Sequence, residues 1–324
     1  MIVSFNRVLQ RLMPYITPSA VVIGVLLAEW FDNFVFLVPW IFAVMTFAGS
    51  LGSNFTDLKK VLRHPVALVA CIVLLHIIMP LIALGVGSLL FGKEDYTTIG
   101  LVLSFVIPTG ITSLIWVSIY KGNVVLTLSI ILIDTLLAPF TVPLVMQLLV
   151  GGSVQMDIGD IMVGLLFMIV IPSLAGMAVN QWGRASFTSK METNLAPLTK
   201  IGIGLVVTIN SSAVAPYLRV IDQTLLWTGV TVLCLAALSY VLGFWTGRLL
   251  RVERGSVLSL TFNSGMRNIS GGAVIAITYF PPPVAVPVIV GMLFQQVLAS
   301  FAGKWLDNFG KGDKGVAALT HKQI

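Results

Sequence analysis

The chain has 324 residues, of which 57% are hydrophobic and only 10% charged, and its formal net charge is +6. Soluble domains carry about 25% charged residues, so this composition excludes ordinary soluble domains and points to a polytopic membrane protein. The pI near 9.4 does not signal nucleic-acid binding, because the basic residues fall in short loops between apolar runs.

A helix needs roughly 20 apolar residues to cross the hydrocarbon core. Such runs occur at about 14–30, 35–52, 65–91, 98–120, 124–150, 158–180, 200–218, 224–247, 255–280 and 284–304. Arg7 and Arg11 precede the first run as in a signal peptide, but no small-residue cleavage site follows, so the run is read as a retained helix. Cys71 and Cys234 lie inside apolar runs and read as buried filler, not as a disulfide. With the N-terminus cytoplasmic, sixteen of the 19 Lys and Arg fall on the inner side, Lys93 and Arg219 fall outside, and Arg267 lies within a span. The positive-inside rule then predicts a multi-pass protein of the cell membrane with both termini cytoplasmic, and residues 307–324 as a short cytoplasmic tail.

Ten spans divide into two fives, and the second five enter the membrane from the opposite side, as in an inverted repeat. The fourth run is interrupted by "IPTGITS" (Ile107–Ser113) and the ninth by "FNSGMRN" (Phe262–Asn268). Aligning Gly110 with Gly265 places Ser113 on Asn268. Paired polar breaks in matching spans point to a transporter binding site. Freed backbone groups find no partner in lipid, so both breaks must face protein or a water-filled cavity. Half-helix N-termini present N–H groups that suit an anion, and Pro108 helps to fix the first break. A simple proline or glycine kink is the plainer alternative.

Arg267 requires a partner at this depth, because a charge near the bilayer centre costs at least about 2.5 kcal/mol. Asp134 is the one acidic residue deep in a span, on a stripe with Thr127, Ile131 and Ala138. An Asp134–Arg267 pair is therefore expected; the alternative gives each a local polar partner.

Around the breaks, the run "PTGITSLIWVSIYKGNVVLTLSIILIDTLLAPFTVP" (Pro108–Pro143) and the "SGM.N" frame of span nine resemble the bile acid:sodium symporter family. The resemblance extends over most of the chain. It implies an all-α fold of ten transmembrane helices in two inverted five-helix repeats, with broken helices 4 and 9 crossing. It also implies a core of helices 3–5 and 8–10, about 65–150 and 224–304, and a panel of helices 1, 2, 6 and 7, about 14–52 and 158–218. Substrates would be organic anions, from bile acids to small carboxylates, moved by alternating access with sodium. The resemblance maps the cation site onto Ser113, Thr127, Asn263 and Arg267. Here the family's span-nine glutamate and glutamine are Asn263 and Arg267, its Ser-Asn pair is Ser113-Leu114, its second span-five hydroxyl is Ile131, and a span-three glutamine is Leu75. A carboxylate is lost and a cation gained, which opposes at least the second of the family's two sodium sites. Arg267 then reads as a built-in cation, with Asp134 or His76 as candidates for proton coupling; a facilitator or exchanger is the other reading. A lone His76 is otherwise a hydrogen-bonded structural residue.

The substrate site implied by the resemblance maps onto Asn268 and Gln295-Gln296. Asn210 and Ser211 (of "NSS") would contribute from the panel, unless they serve only helix packing. An intramembrane enzyme would need a nucleophile or metal set, and no acidic pair or histidine cluster lies within the spans. A sensor would not need two midplane breaks, and an ATP-driven pump would need a P-loop. A metalloid carrier would want a cysteine near the breaks. The expected partners are a small organic anion and the lipid bilayer, with no nucleic acid, no obligate protein partner and no cofactor, sodium being disfavoured.

Overall fold

The computed structural model describes residues 2–53, 55–56, 65–154 and 156–320, and every regular element among them is helical. Lys59, Lys60, Arg63 and Lys322, all invoked in the charge argument, lie outside the described residues, as do the side chains of Arg7, Arg11, Lys311 and Lys314.

The long elements, in chain order, are α1 (Ile2–Leu26), α2 (Ala28–Ser50), α3 (Pro65–Leu90), the two pieces α4a (Tyr96–Val106) and α4b (Ser113–Ile119), α5 (Val124–Val150), α6 (Ile158–Trp182), α7 (Ala185–Ala213), α8 (Gln223–Leu249), the pieces α9a (Arg254–Gly265) and α9b (Ile269–Tyr279), and α10 (Ala285–Thr320). Among the described residues, seven helices are long and apolar enough to cross a membrane, and the shorter apolar helices Tyr15–Leu26, Tyr96–Val106 and Ile269–Tyr279 accompany them.

Several helix ends differ from the sequence reading: α1 begins at Ile2 instead of near 14 and α2 at Ala28 instead of near 35. α7 begins at Ala185 instead of near 200, because "ASFTSKMETNLAPLTK" is too polar to signal a span yet propagates a helix. α10 continues to Thr320, so the segment expected as a tail extends the last helix.

The starts are capped locally. The Asp95 carboxylate accepts from the Thr97 N–H at the start of α4a, the Asn123 side chain from Leu126 N–H at α5, and the Asp157 side chain from Asp160 N–H at α6. These satisfy donors that a helix start leaves free. Lys121 (φ 59°) ends α4b in the left-handed region, where Gly122 N–H reaches the Val117 carbonyl at 2.8 Å. The same turn docks on α9a, with Asn123 N–H on the Gly255 carbonyl at 2.9 Å.

Packing sorts the helices into two groups. α1 lies along α7, and α2 packs on α6 and α7. α4a packs on α3 and α5, α8 on α9a and α10, and α9b on α10. Contacts of α6 with α5, α7 with α9b and α1 with α10 join the groups. A continuous apolar cluster runs through this junction, including Val102 and Val106 of α4a, Val206 of α7 and Val274 of α9b, all fully buried.

Candidate substrate and cation site

The two breaks cross. Pro108–Gly110 and Met266–Asn268 run antiparallel, with Thr109 opposite Arg267. Gly110 N–H donates to the Met266 carbonyl at 3.0 Å, and Asn268 N–H to the Pro108 carbonyl at 2.8 Å. The Thr109 hydroxyl lies 2.9 Å from the carbonyls of both Asn263 and Met266. Backbone that no lipid could satisfy is thus paired within the protein. Only glycine permits this approach at 110, since a Cβ there would lie 2.8 Å from the Arg267 carbonyl oxygen. At Gly265 the reason differs: a Cβ would lie 2.4 Å from the Tyr240 ring. The two glycines therefore answer different neighbours, and the pairing sets Thr109 against Arg267.

Beside the crossing, Asn263 gathers the side chains expected around a cation. Its Oδ1 accepts from the Ser113 hydroxyl at 3.0 Å, and its Nδ2 donates to the Ser259 carbonyl at 2.8 Å and to Thr127 Oγ1 at 3.2 Å. A carbonyl only accepts, so the bond to Ser259 fixes which end of the amide is the NH2 group. Ser113, Thr127 and Asn263 are all fully buried. The amide hydrogens point to the Thr127 oxygen, and a lone pair used in this way is not free for an ion.

Arg267 is buried and does not pair with Asp134. Its Nη1 lies 3.4 Å from the Leu75 carbonyl and 3.4 Å from the Ile107 carbonyl, and its Cζ 6.0 Å from the Phe105 ring centre. The physical reason is local. Ile107 caps the C-terminal end of α4a, where carbonyls carry partial negative charge. Leu75 belongs to a π-helical turn, Leu74–Ile78, inside α3, and such turns disturb the carbonyl ladder. Nη1 thus meets two backbone oxygens, while Nε and Nη2 are buried with no hydrogen-bond partner among the described residues. Asp134 is taken by other partners: Oδ1 lies 2.5 Å from His76 Nε2, and Oδ2 accepts the Thr109 N–H at 2.6 Å. The π turn that offers the Leu75 carbonyl also turns His76 inward.

A cavity of about 230 Å³ opens against the crossing. Its core wall includes Thr109, Gly110 and Arg267, Asn268 and Ser270 of the second break, and Thr135 of α5. Gln295 and Gln296 of α10 also line it; Gln296 Oε1 accepts from Trp116 Nε1 at 3.1 Å, while Gln295 Oε1 has no partner. Asn268 caps α9b, its Oδ1 accepting from Gly271 N–H at 3.2 Å. Pro139 removes the N–H that would bond the Thr135 carbonyl in the helix. The opposite wall holds Thr46, Gly49, Ser50 and Ser53 of the α2 region and Ser173 of α6. The spacing 46, 49, 50, 53 is one helical face, and that polar stripe in an apolar run was the available signal for residues the sequence reading missed. Asn210 and Ser211 do not line the cavity; they are buried in α7, and neither the Asn210 amide nor the Ser211 hydroxyl has a partner.

Comparison with known proteins matches residues 38–219 to the description "Sodium Bile acid symporter family". The chain belongs to this family. It is 48% identical over 297 residues to "Uncharacterized protein YbaS" of Bacillus subtilis (strain 168), covering 92% of this chain and 97% of that one. It is 25% identical over 290 residues to "Uncharacterized sodium-dependent transporter YocS" of the same organism, covering 89% and 88%. It is also 28% identical over 256 residues to "Probable sodium/metabolite cotransporter BASS1, chloroplastic" of Arabidopsis thaliana, covering 77% of this chain and 61% of that protein. The family is one of membrane transporters, and this multi-pass chain is read as a transporter, not an enzyme.

Membership raises the question whether this chain's residues fit sodium. A hard cation needs several converging oxygen lone pairs and, when buried, compensating negative charge. Here the Ser113, Thr127 and Asn263 side chains bond one another, Asn263 contributes N–H groups, and a guanidinium stands at the break. Both oxygens of Asp134 are engaged elsewhere. Among the described residues, no group of three His, Cys, Asp or Glu comes together. The donor set does not fit sodium.

Proposed function

We propose that this transporter carries a small organic anion across the cell membrane by alternating access, without a bound sodium ion. The carrying observation is the closed Ser113–Thr127–Asn263 cluster beside a buried Arg267. The fixed guanidinium and the amide hydrogens do the holding that a bound cation would do. Ten spans in two inverted five-helix repeats, with a core of α3–α5 and α8–α10 moving against a panel of α1, α2, α6 and α7, account for the crossing breaks and for the cavity between the groups.

The anion would meet the start of α9b, where Ile269 and Ser270 line the cavity, together with Asn268 and the two glutamines. A helix start favours negative charge. The hydroxyls of Thr46, Ser50 and Ser173 would face it from the panel.

The cavity reaches Ser53 beyond the end of α2, the end assigned to the cytoplasm by the basic residues, and Thr199 midway along α7. This conformation is therefore inward-open. Asn210 lies seven residues beyond Ile203, roughly 10 Å further along the helix, in the closed outer half. It and Ser211 are placed to meet solvent or substrate when that half opens.

The test is uptake of a labelled panel, with pantoate and taurocholate as small and large carboxylates, into proteoliposomes with and without an inward sodium gradient. Equal uptake of a panel member in sodium-free buffer is expected. Uptake only with sodium would overturn the reading.

A further inference from the structure

The His76–Asp134 pair stands outside the Ser113–Thr127–Asn263 cluster and does not line the cavity. His76 is 4% exposed and Asp134 fully buried, 58 residues apart in sequence, with 2.5 Å between Nε2 and Oδ1. The other ring nitrogen, Nδ1, is buried without a partner. Asp134 Oδ2 holds the Thr109 N–H, so the pair is tied directly to the backbone of the first break. Thr109, Arg267 and Thr135 line the cavity, which places Asp134 one layer behind its wall.

We infer that His76 and Asp134 form a proton-binding site whose loading is linked to the crossing through the Thr109 N–H, with the proton as the coupling ion. The inference rests on the reading of a carrier that binds no sodium. The step is a simple proton binding: with Nε2–H donated to the carboxylate, the incoming proton takes the lone pair of Nδ1, one N–H bond forms, and no electrons are exchanged. The proton belongs to the pair, because two groups this close titrate as one unit.

Charge bookkeeping within the pocket favours coupling. Arg267 and ionised Asp134 sum to zero with neutral imidazole. A bound proton leaves one uncompensated positive charge in a dry site, which is unfavourable. An anion at the break restores neutrality, so each ligand favours the other by the same factor.

Other ionisable groups stand on the elements packed against α3 and α5; Asp160 lies in the first turn of α6 and Tyr120 just past the end of α4b. Cys71 on α3 has its Sγ 3.9 Å from Ser264 Oγ. On α8 are Tyr240, whose hydroxyl is buried without a partner, and exposed Cys234. Arg267 stands at the second break. Tyr96, Arg248 and Arg254 lie at helix ends, away from the midpoint of α3.

The experiment uses the full chain in lipid nanodiscs, labelled with 15N-histidine, 15N-threonine and carboxyl-13C-aspartate. His76 is separated from His64 and His321 by its loss in His76→Gln. The expected result is one proton taken up at His76 Nδ1 as the pH falls, with the Asp134 carboxyl and Thr109 amide signals moving at the same midpoint. A His76 signal that stays constant while the protein remains folded would overturn the site; so would Thr109 and Asp134 signals moving at unrelated midpoints in the unmutated protein, which needs no variant to fold. Neither result touches sodium-free uptake, so this inference and the carrier reading fail separately.

Discussion

The uncharged polar side chains at the crossing and those on α7 are equally buried and are treated in opposite ways. Ser113, Thr127, Asn263 and Thr109 bond one another or nearby backbone. Asn210 and Ser211 of α7 have no side-chain hydrogen-bond partner among the described residues, a condition that Nε and Nη2 of the charged Arg267 share. A bonded buried polar group holds a structure together, while an unbonded one costs about 1–3 kcal/mol wherever it stays dry. The contrast teaches where motion is to be sought. On the proposed alternating-access reading, the crossing is the fixed frame, and the contact of α7 with α1 and α9b is the closed gate, where hydration would relieve that cost.

The largest expected effect comes from breaking the frame. Asp134→Ala removes the acceptor of both His76 and the Thr109 N–H, and loss of a buried partner of this kind destabilises by about 3–5 kcal/mol. Thermal unfolding in detergent should show the drop; an unchanged transition would mean that the pair contributes nothing to the frame.

On the gate the sign should reverse. Asn210→Leu removes the unbonded amide at similar volume and should stabilise the closed conformation by about 1–3 kcal/mol, raising the unfolding temperature while slowing uptake. A destabilised protein with unchanged uptake would show that Asn210 is ordinary packing.

A third change asks whether the frame has replaced an ion. The double substitution Asn263→Glu with Arg267→Gln restores the residues the family's resemblance assigns to these positions. Sodium at ten times its Kd should then stabilise that variant by about 1.4 kcal/mol, seen as a sodium-dependent unfolding shift that the parent chain lacks. The same shift in both proteins would refute the substitution argument.

The smallest effect belongs to Thr127→Val, which deletes one of the two acceptors of Asn263 Nδ2. A cost of about 1 kcal/mol is expected, smaller than at Asp134 because Ser259 still accepts from the amide.

The legibility of the chain follows the same division. α5 could be read from its apolar run and its "GN" start, because Asn123 signals a cap. Both breaks were visible as polar interruptions, and so were the residues that meet at Asn263. The start of α7 was not, since membrane hydropathy is blind to a polar helical extension. The partner of Asp134 was not readable either. Arg267 was the expected partner, and the pairing with His76 instead depends on the rotation of α3. That rotation is set by a π turn in "LLHII", which contains neither proline nor glycine to announce it. The register between the breaks could not be read from the sequence, and Gly110 and Gly265 serve different close approaches.

The central claim is that Arg267 and the Asn263 cluster occupy the role of a bound cation. Equilibrium binding of 22Na+ to the purified full chain tests it most directly. The account predicts no saturable sodium binding up to about millimolar concentrations. Saturable binding that Arg267→Gln leaves unchanged would contradict it.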